Sequence, residues 1–228
     1  QANLFQNQKI QVAQQINQFL IFLNRWKNKI NFINKYDQII WNLNKKYLLE
    51  LGSLGINIPE TTIVNKGSSI TLREVFSAGG WQKAIVKPCV SAAAWETHLV
   101  EGVNALDFEN QFRSLVVKQD MMVQSFQKNI LSFGEISFMM IGGKYSHSVL
   151  KRAKPGDFRV QDDYGGTVEN YVANKREVDF VEMVMASLSF RPLYARVDVL
   201  RDNNNMLALS ELELIEPEMW FRNHPAAA

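Results

Sequence analysis

Cysteine is almost missing from this chain of 228 residues: Cys89 stands alone, which excludes a disulfide framework and a thiolate metal site and leads to the expectation of a cytoplasmic setting. No stretch reaches eighteen uninterrupted apolar residues, so no membrane-spanning helix is expected. Charge of one sign is not in excess either. Twenty-five Lys and Arg stand against 23 Asp and Glu, leaving +2, a balance that argues neither for nor against nucleic acid. The one local imbalance lies at the start, where Lys9, Arg25, Lys27, Lys29 and Lys35 all precede the first acid, Asp37. With Gln and Asn as spacers, this reads as a solvated helix face rather than a nucleic-acid arm. The opening at Gln1 lacks the pattern of a secretory signal. Internal repeats are absent, and so is any Ser-His-Asp or Cys-His pairing.

What is present is enough apolar material, 46%, to bury a sizeable core. Apolar residues recur at helical spacing over 8–26 (Val12, Ile16, Phe19, Leu20, Leu23, Trp26) and over 36–51 (Ile40, Leu43, Tyr47, Leu48, Leu51), with Gly52 as terminator. Thr71-Leu-Arg-Glu74 is a capping box opening a helix that ends near Gly79-Gly80. Further helices are expected over 107–118 and 175–188. Strands are read at 61–64, 84–88, around Leu99, at 121–126, and at 134–141 turning through Gly142-Gly143 into 145–150. The methionines read as core filler and His147 as structural. A helix-rich start, a mixed centre and a strand-rich end make the expected class α+β (α/β), in two lobes.

Three polar features interrupt this pattern. Lys87 sits in the apolar strand Ala84-Ile-Val-Lys-Pro88, a costly place for an ammonium unless it meets an anion or water. The small residues of Ser91-Ala-Ala-Ala-Trp-Glu-Thr97 follow directly. Residues 151–166 break all periodicity and carry Lys151, Arg152, Lys154, Arg159 and three glycines, which suits a flap over phosphate oxygens. The third feature is an alternating pair, Tyr194-Ala-Arg-Val-Asp-Val-Leu and Leu207 to Glu216, joined by Asp202-Asn-Asn-Asn. Period two puts Arg196 and Asp198 on one face and Glu211 and Glu213 on one face. Closing the hairpin sets Asp198 roughly opposite Glu211. Like charges so placed repel; Arg196 supplies one compensating charge, and a divalent ion such as Mg2+ suits the remainder. Lysine, basic loop and acid cluster together match the parts of a nucleoside triphosphate site.

These residues resemble the ATP-grasp ligases, in their glutathione-synthetase-like branch, from about Trp41 to Pro225. Gly156-Asp-Phe-Arg-Val-Gln161 and Glu211-Leu-Glu-Leu-Ile-Glu-Pro217 are the most specific pieces. The resemblance implies an ATP-grasp fold of two α+β lobes clasping ATP. Residues 1–60 would be a helical remnant of a substrate domain, 61–126 the first lobe, and 127–228 the second lobe with a metal hairpin. It implies that Lys87, Ser91 and Lys151 meet ATP phosphates, that the Gln124-Ser-Phe126 hinge reads adenine, and that Glu135 contacts ribose. It further implies Asp198, Glu211 and Glu213 as ligands of Mg2+, with Mn2+ as a substitute, and Arg159 and Arg196 as catalytic cations on the transferred phosphoryl group. The expected activity is ATP-dependent joining of a small carboxylate and an amine, amino acid or peptide-like, through an acyl-phosphate with release of ADP and phosphate. The alternative is an ATP/Mg-binding module without ligase turnover. Neither nucleic acid nor membrane is an expected partner, and a homo-oligomer is left open. The opening strand that such proteins place ahead of the helix at 11–26 is not recognisable, and Ala92-Ala-Ala94 is poorer in glycine than in many relatives.

Overall fold

The structure is a computed structural model that describes residues 16–91, 95–160 and 165–227. Residues 161–164, which include Gln161, and the Ala92–Ala94 run lie outside them.

Two antiparallel sheets organise the chain. The first joins β1 (Thr61–Val64), β4 (Met121–Ser125), β2 (Lys83–Pro88) and β3 (His98–Glu101), in that spatial order. Helices α4 (Leu72–Gly79) and α5 (Ala105–Val116) cover it, burying Leu72, Val75, Phe76, Phe112 and Leu115 against Ala84, Val86 and Val123. The capping box at Thr71 forms as expected: its hydroxyl accepts from Glu74 N while the Glu74 side chain accepts from Thr71 N, and Gly80 closes the helix at φ +64°.

The second sheet runs β7 (Thr167–Tyr171), β6 (Lys144–Arg152), β5 (Glu135–Ile141), β8 (Tyr194–Arg201), β9 (Leu207–Glu213). Alternation decides its two faces. Ile136, Phe138 and Met140 of β5 and Ala195, Val197 and Val199 of β8 enter a core shared with Val181, Val184 and Met185 of α6 (Lys175–Ser187). The intervening residues, Glu135 and Ser137 on β5 and Arg196 and Asp198 on β8, therefore face the other way. Gly142 and Gly143 turn β5 into β6 with φ +59° and +80°, the pair of left-handed residues that a two-residue hairpin of this hand requires. The methionines of the strands fill core, with Met121, Met122, Met139 and Met140 fully buried, whereas Met183 and Met206 are exposed. His147 is structural in the same sense, donating from Nε2 to the Met219 carbonyl at 2.8 Å.

Three features differ from the sequence reading. Lys151 and Arg152, expected at the start of an aperiodic flap over 151–166, instead complete strand β6, where Lys151 pairs with Glu135 and Val168 and is buried. The helix expected over 36–51 is broken into α2 (Tyr36–Leu43) and α3 (Tyr47–Ser53), because Asn44 Oδ1 takes the Lys46 N–H at 3.1 Å and Lys45 N pairs with the Cys89 carbonyl at 2.8 Å. Strand β7 was not expected; it is an edge strand with mostly exposed side chains, so it lacks the apolar alternation by which strands are read. The first helix, α1, is described over 16–26.

The edge strand β9 is sealed by side chains from the helical start. Asn42 and Tyr47 hydrogen-bond both N–H and C=O groups along it: Leu214 N donates to Asn42 Oδ1 at 2.8 Å, Asn42 Nδ2 to Leu212 O at 2.7 Å, and Tyr47 OH to Leu212 O at 2.8 Å. Asn34 Nδ2 reaches the Leu214 carbonyl at 3.0 Å. These bonds satisfy an edge that would otherwise expose its ladder groups, and they fix the strand that carries Glu211 and Glu213.

Candidate active site

The hairpin has the register that alternation implies, with Asp198 opposite Glu211 and Arg196 opposite Glu213. A bulge between Asp198 and Val199 pairs Val199 with Leu209 and leaves Ser210 as the extra residue. That one insertion settles the parity of β9. Leu209 and Leu212, three apart, both enter the core, while Glu211 and Glu213 face the opposite side. Ser210 uses its hydroxyl to plug the bulge, bonding Glu135 Oε2 at 2.6 Å and Asp198 O at 3.0 Å.

One oxygen from each of Asp198, Glu211 and Glu213 lies within 4.8 Å of the others. Cross-strand neighbours hold the trio in place. Arg196 forks onto Asp198 through Nε and Nη2, each at 2.9 Å, and also pairs with Glu213. Ser137 Oγ donates to Asp198 at 2.5 Å. Lys151 Nζ bridges Glu135 at 2.6 Å and Asp198 at 3.2 Å. The carbonyl of Lys151 lies 2.2 Å from where a Cβ on Gly134 would stand, and Gly134 has φ +97°; only glycine lets Glu135 enter beside Lys151. The indole of Trp220, buried on the returning C-terminal segment, covers both cations, with Arg196 Cζ 5.2 Å and Lys151 Nζ 5.7 Å from a ring centroid.

Sequence reasoning counted one compensating cation and missed Lys45. The helix break at Asn44 turns this buried lysine toward Glu211, at 3.1 Å, and onto the carbonyl of Ser91, at 2.9 Å. Nothing in Asn44-Lys-Lys46 marks Lys45 over its neighbour; the signal is tertiary, set by pairing with Cys89. The cluster so holds four acids (Glu135, Asp198, Glu211, Glu213) and, with Lys87 acting on Glu211 electrostatically, four cations.

Compensation is uneven. Burial would raise the Asp198 carboxyl, but Arg196 and Lys151 hold it down at about 2. Burial likewise opposes ionisation of Glu211, and Lys45 and Lys87 overcome it, keeping its pKa below the ordinary value. Glu213 goes the other way: burial, reinforced by Glu211, pushes it up to about 8 despite Arg196. The shift favours a protonated Glu213 in the metal-free fold at a pH where the unfolded chain has already ionised it. The folded state binds the extra proton, so without metal its stability falls as pH rises from 4.5 to about 8. An incoming divalent ion must displace that proton. Affinity for Mg2+ is expected to climb with pH until about 8 and then level off. Calorimetry in buffers of different ionisation enthalpy reads both the affinity and the released proton; a flat profile from pH 6 to 9 would count against it.

All eleven residues singled out from the sequence line one cavity of about 860 Å3 between the sheets: Lys87, Ser91, Gln124, Phe126, Glu135, Lys151, Arg159, Arg196, Asp198, Glu211 and Glu213. Their local arrangements add detail. Burial lowers the Lys87 ammonium, against the pull of Glu211. Gln124 turns its amide to Thr61 Oγ1 at 2.9 Å, and Phe126 meets Phe158 edge-on at 6.4 Å. Phe126 N donates to Lys83 O. Arg159 is oriented by Asp157, a residue sequence reasoning had not singled out. Its Oδ1 accepts the Phe158 and Arg159 N–H groups at 2.8 and 3.0 Å, while Oδ2 takes Arg159 Nη2 at 2.8 Å. Held by these donors, Asp157 stays well below the usual carboxylate range. The Asp in Gly-Asp-Phe-Arg is thereby a turn builder and a guanidinium clamp.

An all-oxygen donor set of carboxylates fits a hard divalent cation such as Mg2+ rather than a soft metal. Among the described residues no helix is long and apolar enough to cross a membrane.

No family model matches the chain. The cycloserine biosynthesis protein DcsG of Streptomyces lavendulae is 24% identical over 220 residues, covering 89% of this chain and 71% of that protein. The solved structure of D-cycloserine synthetase DcsG superposes with a TM-score of 0.83 at 22% identity, over 92% of this chain and 74% of that one. D-alanine–D-alanine ligase from Bacillus anthracis, solved with ATP, gives 0.63 at 14% identity, and the ATP-grasp ligase PsnB with its minimal precursor 0.61 at 15%. The chain spans 63% and 60% of those two proteins, and they cover 85% and 87% of it. The likeness to these neighbours is one of backbone arrangement: the chain has the ATP-grasp fold, and resembles D-cycloserine synthetase DcsG and the ATP-grasp ligase PsnB.

Proposed function

We propose that the cavity binds ATP with Mg2+ and that the chain is an ATP-dependent ligase joining a small carboxylate to an amine through an acyl-phosphate, with release of ADP and phosphate. The observation that carries this reading is the acid trio within 4.8 Å, set in a cavity between two sheets of this fold that Lys45, Lys87, Lys151, Arg159 and Arg196 also line. Asp198, Glu211 and Glu213 would hold the ion, which when bound neutralises and bridges phosphate oxygens. Lys45 and Lys87 approach from the side of the first sheet and are placed to receive phosphate oxygens. Lys151 spends its charge on Glu135 and Asp198, and its role on phosphate is through the same cluster. Arg196, fixed by Asp198 under Trp220, and Arg159, fixed by Asp157, present guanidinium groups where negative charge accumulates on transfer. Such preorganised donors stabilise the transferring group without reorganising. Phosphorylation turns a poor electrophile into one with a good leaving group, so positioning and charge neutralisation suffice and no protein nucleophile is needed. The hinge at Gln124–Phe126 would face the base. Glu135 is a ribose contact only if an oxygen already shared with Lys151 or Ser210 also accepts from the sugar.

The test is ADP release from ATP and Mg2+ in the presence of amino-acid and peptide amines and carboxylates. Release that requires both an amine and a carboxylate supports ligation. Tight Mg–ATP binding with no ADP from any pair would identify a binding module instead.

A further inference from the structure

The polar turn Asp202–Asn205 reads from sequence as a solvent-exposed hairpin end. In the structure it reaches across to the segment by which the chain passes from the first sheet to the second. Asn203 is exposed, yet its amide makes two backbone bonds some 75 residues away: Nδ2 donates to Phe126 O at 3.0 Å, and Oδ1 accepts from Lys128 N at 2.9 Å. Its own N–H donates to Gln127 Oε1 at 2.9 Å, and Gln127 Nε2 in turn donates to Ser125 O at 2.9 Å. Beside it, Asn129 Nδ2 meets Asp202 O at 2.5 Å and Asn57 Nδ2 meets Asp202 Oδ2 at 3.0 Å. The turn is internally braced as well, since Asp202 Oδ1 accepts from Asn204 N and Met206 N.

Two cavities explain what this contact controls. Ser125, Phe126 and Gln127 line the cavity that holds the acid trio and also line a second one, of about 710 Å3, on the other side. The hinge is thus a thin partition. Asp202, Asn203 and Asn204 border only the second cavity, so Asn203 braces the partition from behind. It does so from the loop that joins β8 to β9, the two strands carrying Asp198, Glu211 and Glu213.

We propose that Asn203 is a positioning residue that latches the Phe126–Lys128 backbone to the β8–β9 turn, and so fixes the surface on which the base of a nucleotide rests relative to the ion-binding acids. This rests on the nucleotide reading above. Side-chain amides suit the task because one face donates and the other accepts, matching a carbonyl and an N–H two residues apart.

The test compares Mg–ATP and Mg–tripolyphosphate binding by calorimetry for the full chain, Asn203→Ala, Asn203→Asp and Asn204→Ala, with melting curves for each. Asn203→Ala is expected to weaken Mg–ATP about tenfold, the scale for losing two hydrogen bonds, while tripolyphosphate, which has no base, binds as before. Asn203→Asp is expected to be at least as poor, because it places an oxygen against the Phe126 carbonyl, although it fills the same volume. Asn204→Ala should match wild type. Hydrogen exchange at Lys128 N–H should speed up in Asn203→Ala whatever the nucleotide does. Unchanged Mg–ATP affinity in Asn203→Ala, or an equal loss of tripolyphosphate, would overturn the latch while leaving the nucleotide site standing. Wild type that binds tripolyphosphate and ATP equally would overturn it too. Wild type that binds neither would sink the nucleotide reading itself and this inference with it, and accelerated exchange at Lys128 would then show that the contact serves only the fold.

Discussion

Glu211→Gln is expected to cut Mg2+-dependent ADP release at least about 100-fold, beyond the 10–100-fold typical of losing a residue that merely supports a metal ligand. Glu211 is the trio member that pairs with Lys45, at 3.1 Å, and Lys45 and Lys87 favour its ionised form. The amide keeps its size but removes one anionic ligand and takes from Lys45 its ion pair, leaving the hydrogen bond to the Ser91 carbonyl. The side chain is half-buried on an edge strand whose backbone is secured by Asn42 and Tyr47, so the fold should survive. Far-ultraviolet circular dichroism and a melting curve check that point, and steady-state ADP release measures the loss. Turnover near the wild-type rate, with the fold intact, would remove Glu211 from the ion site.

Lys151→Met should have the largest effect on stability. Lys151 is almost wholly buried and serves two buried carboxylates, Glu135 and Asp198. Breaking a buried pair by removing one partner typically costs about 3–5 kcal/mol, because the remaining charge is stranded. The pH dependence has a definite sign. In the wild type the depressed Asp198 pKa contributes stability above its ordinary value of 3.8, lost as pH falls toward about 2. Without Lys151, Asp198 titrates higher, so the variant has less to lose on acidification. Its deficit is therefore expected to be greatest near neutral pH and to shrink toward pH 3. Urea unfolding at pH 7 and pH 3.5 measures both; a deficit that grows with acid would mean that Lys151 does not stabilise these acids in the folded state.

How much of this was legible in the sequence follows from the physics of each element. Alternation along Tyr194–Leu200 and the Asp/Asn turn were enough to place Asp198 opposite Glu211, since period two leaves little freedom once one face must be apolar. The Thr71–Glu74 capping box and the Gly142–Gly143 turn are local chemistry and were readable for that reason. The bulge at Ser210 was not, because it is a relation between two strands: along β9 alone, Leu209 and Glu211 look like neighbours on one face. The break at Asn44 was hidden in a run of good helical periodicity, and only pairing with Cys89 reveals it, so Lys45 was missed with it. Strand β7 carries no apolar stripe to find. The clasp of Asn203 on the hinge joins positions about 75 residues apart, and nothing in Asp202-Asn-Asn-Asn distinguishes the one Asn that makes it. Motif-like pieces such as Gly156-Asp-Phe-Arg159 announced a site, but the job of Asp157 within it emerges only from the hydrogen bonds it accepts from Phe158 and Arg159.

The most direct measurement of the central claim is a crystal of this chain grown with Mn2+ and a non-hydrolysable ATP analogue, with anomalous scattering used to locate the metal. The expected result is a manganese peak in contact with carboxylate oxygens of Asp198, Glu211 and Glu213, with phosphate oxygens on its far side toward Lys45 and Lys87. An ion bound elsewhere, or a nucleotide seated outside the cavity between the two sheets, would contradict it.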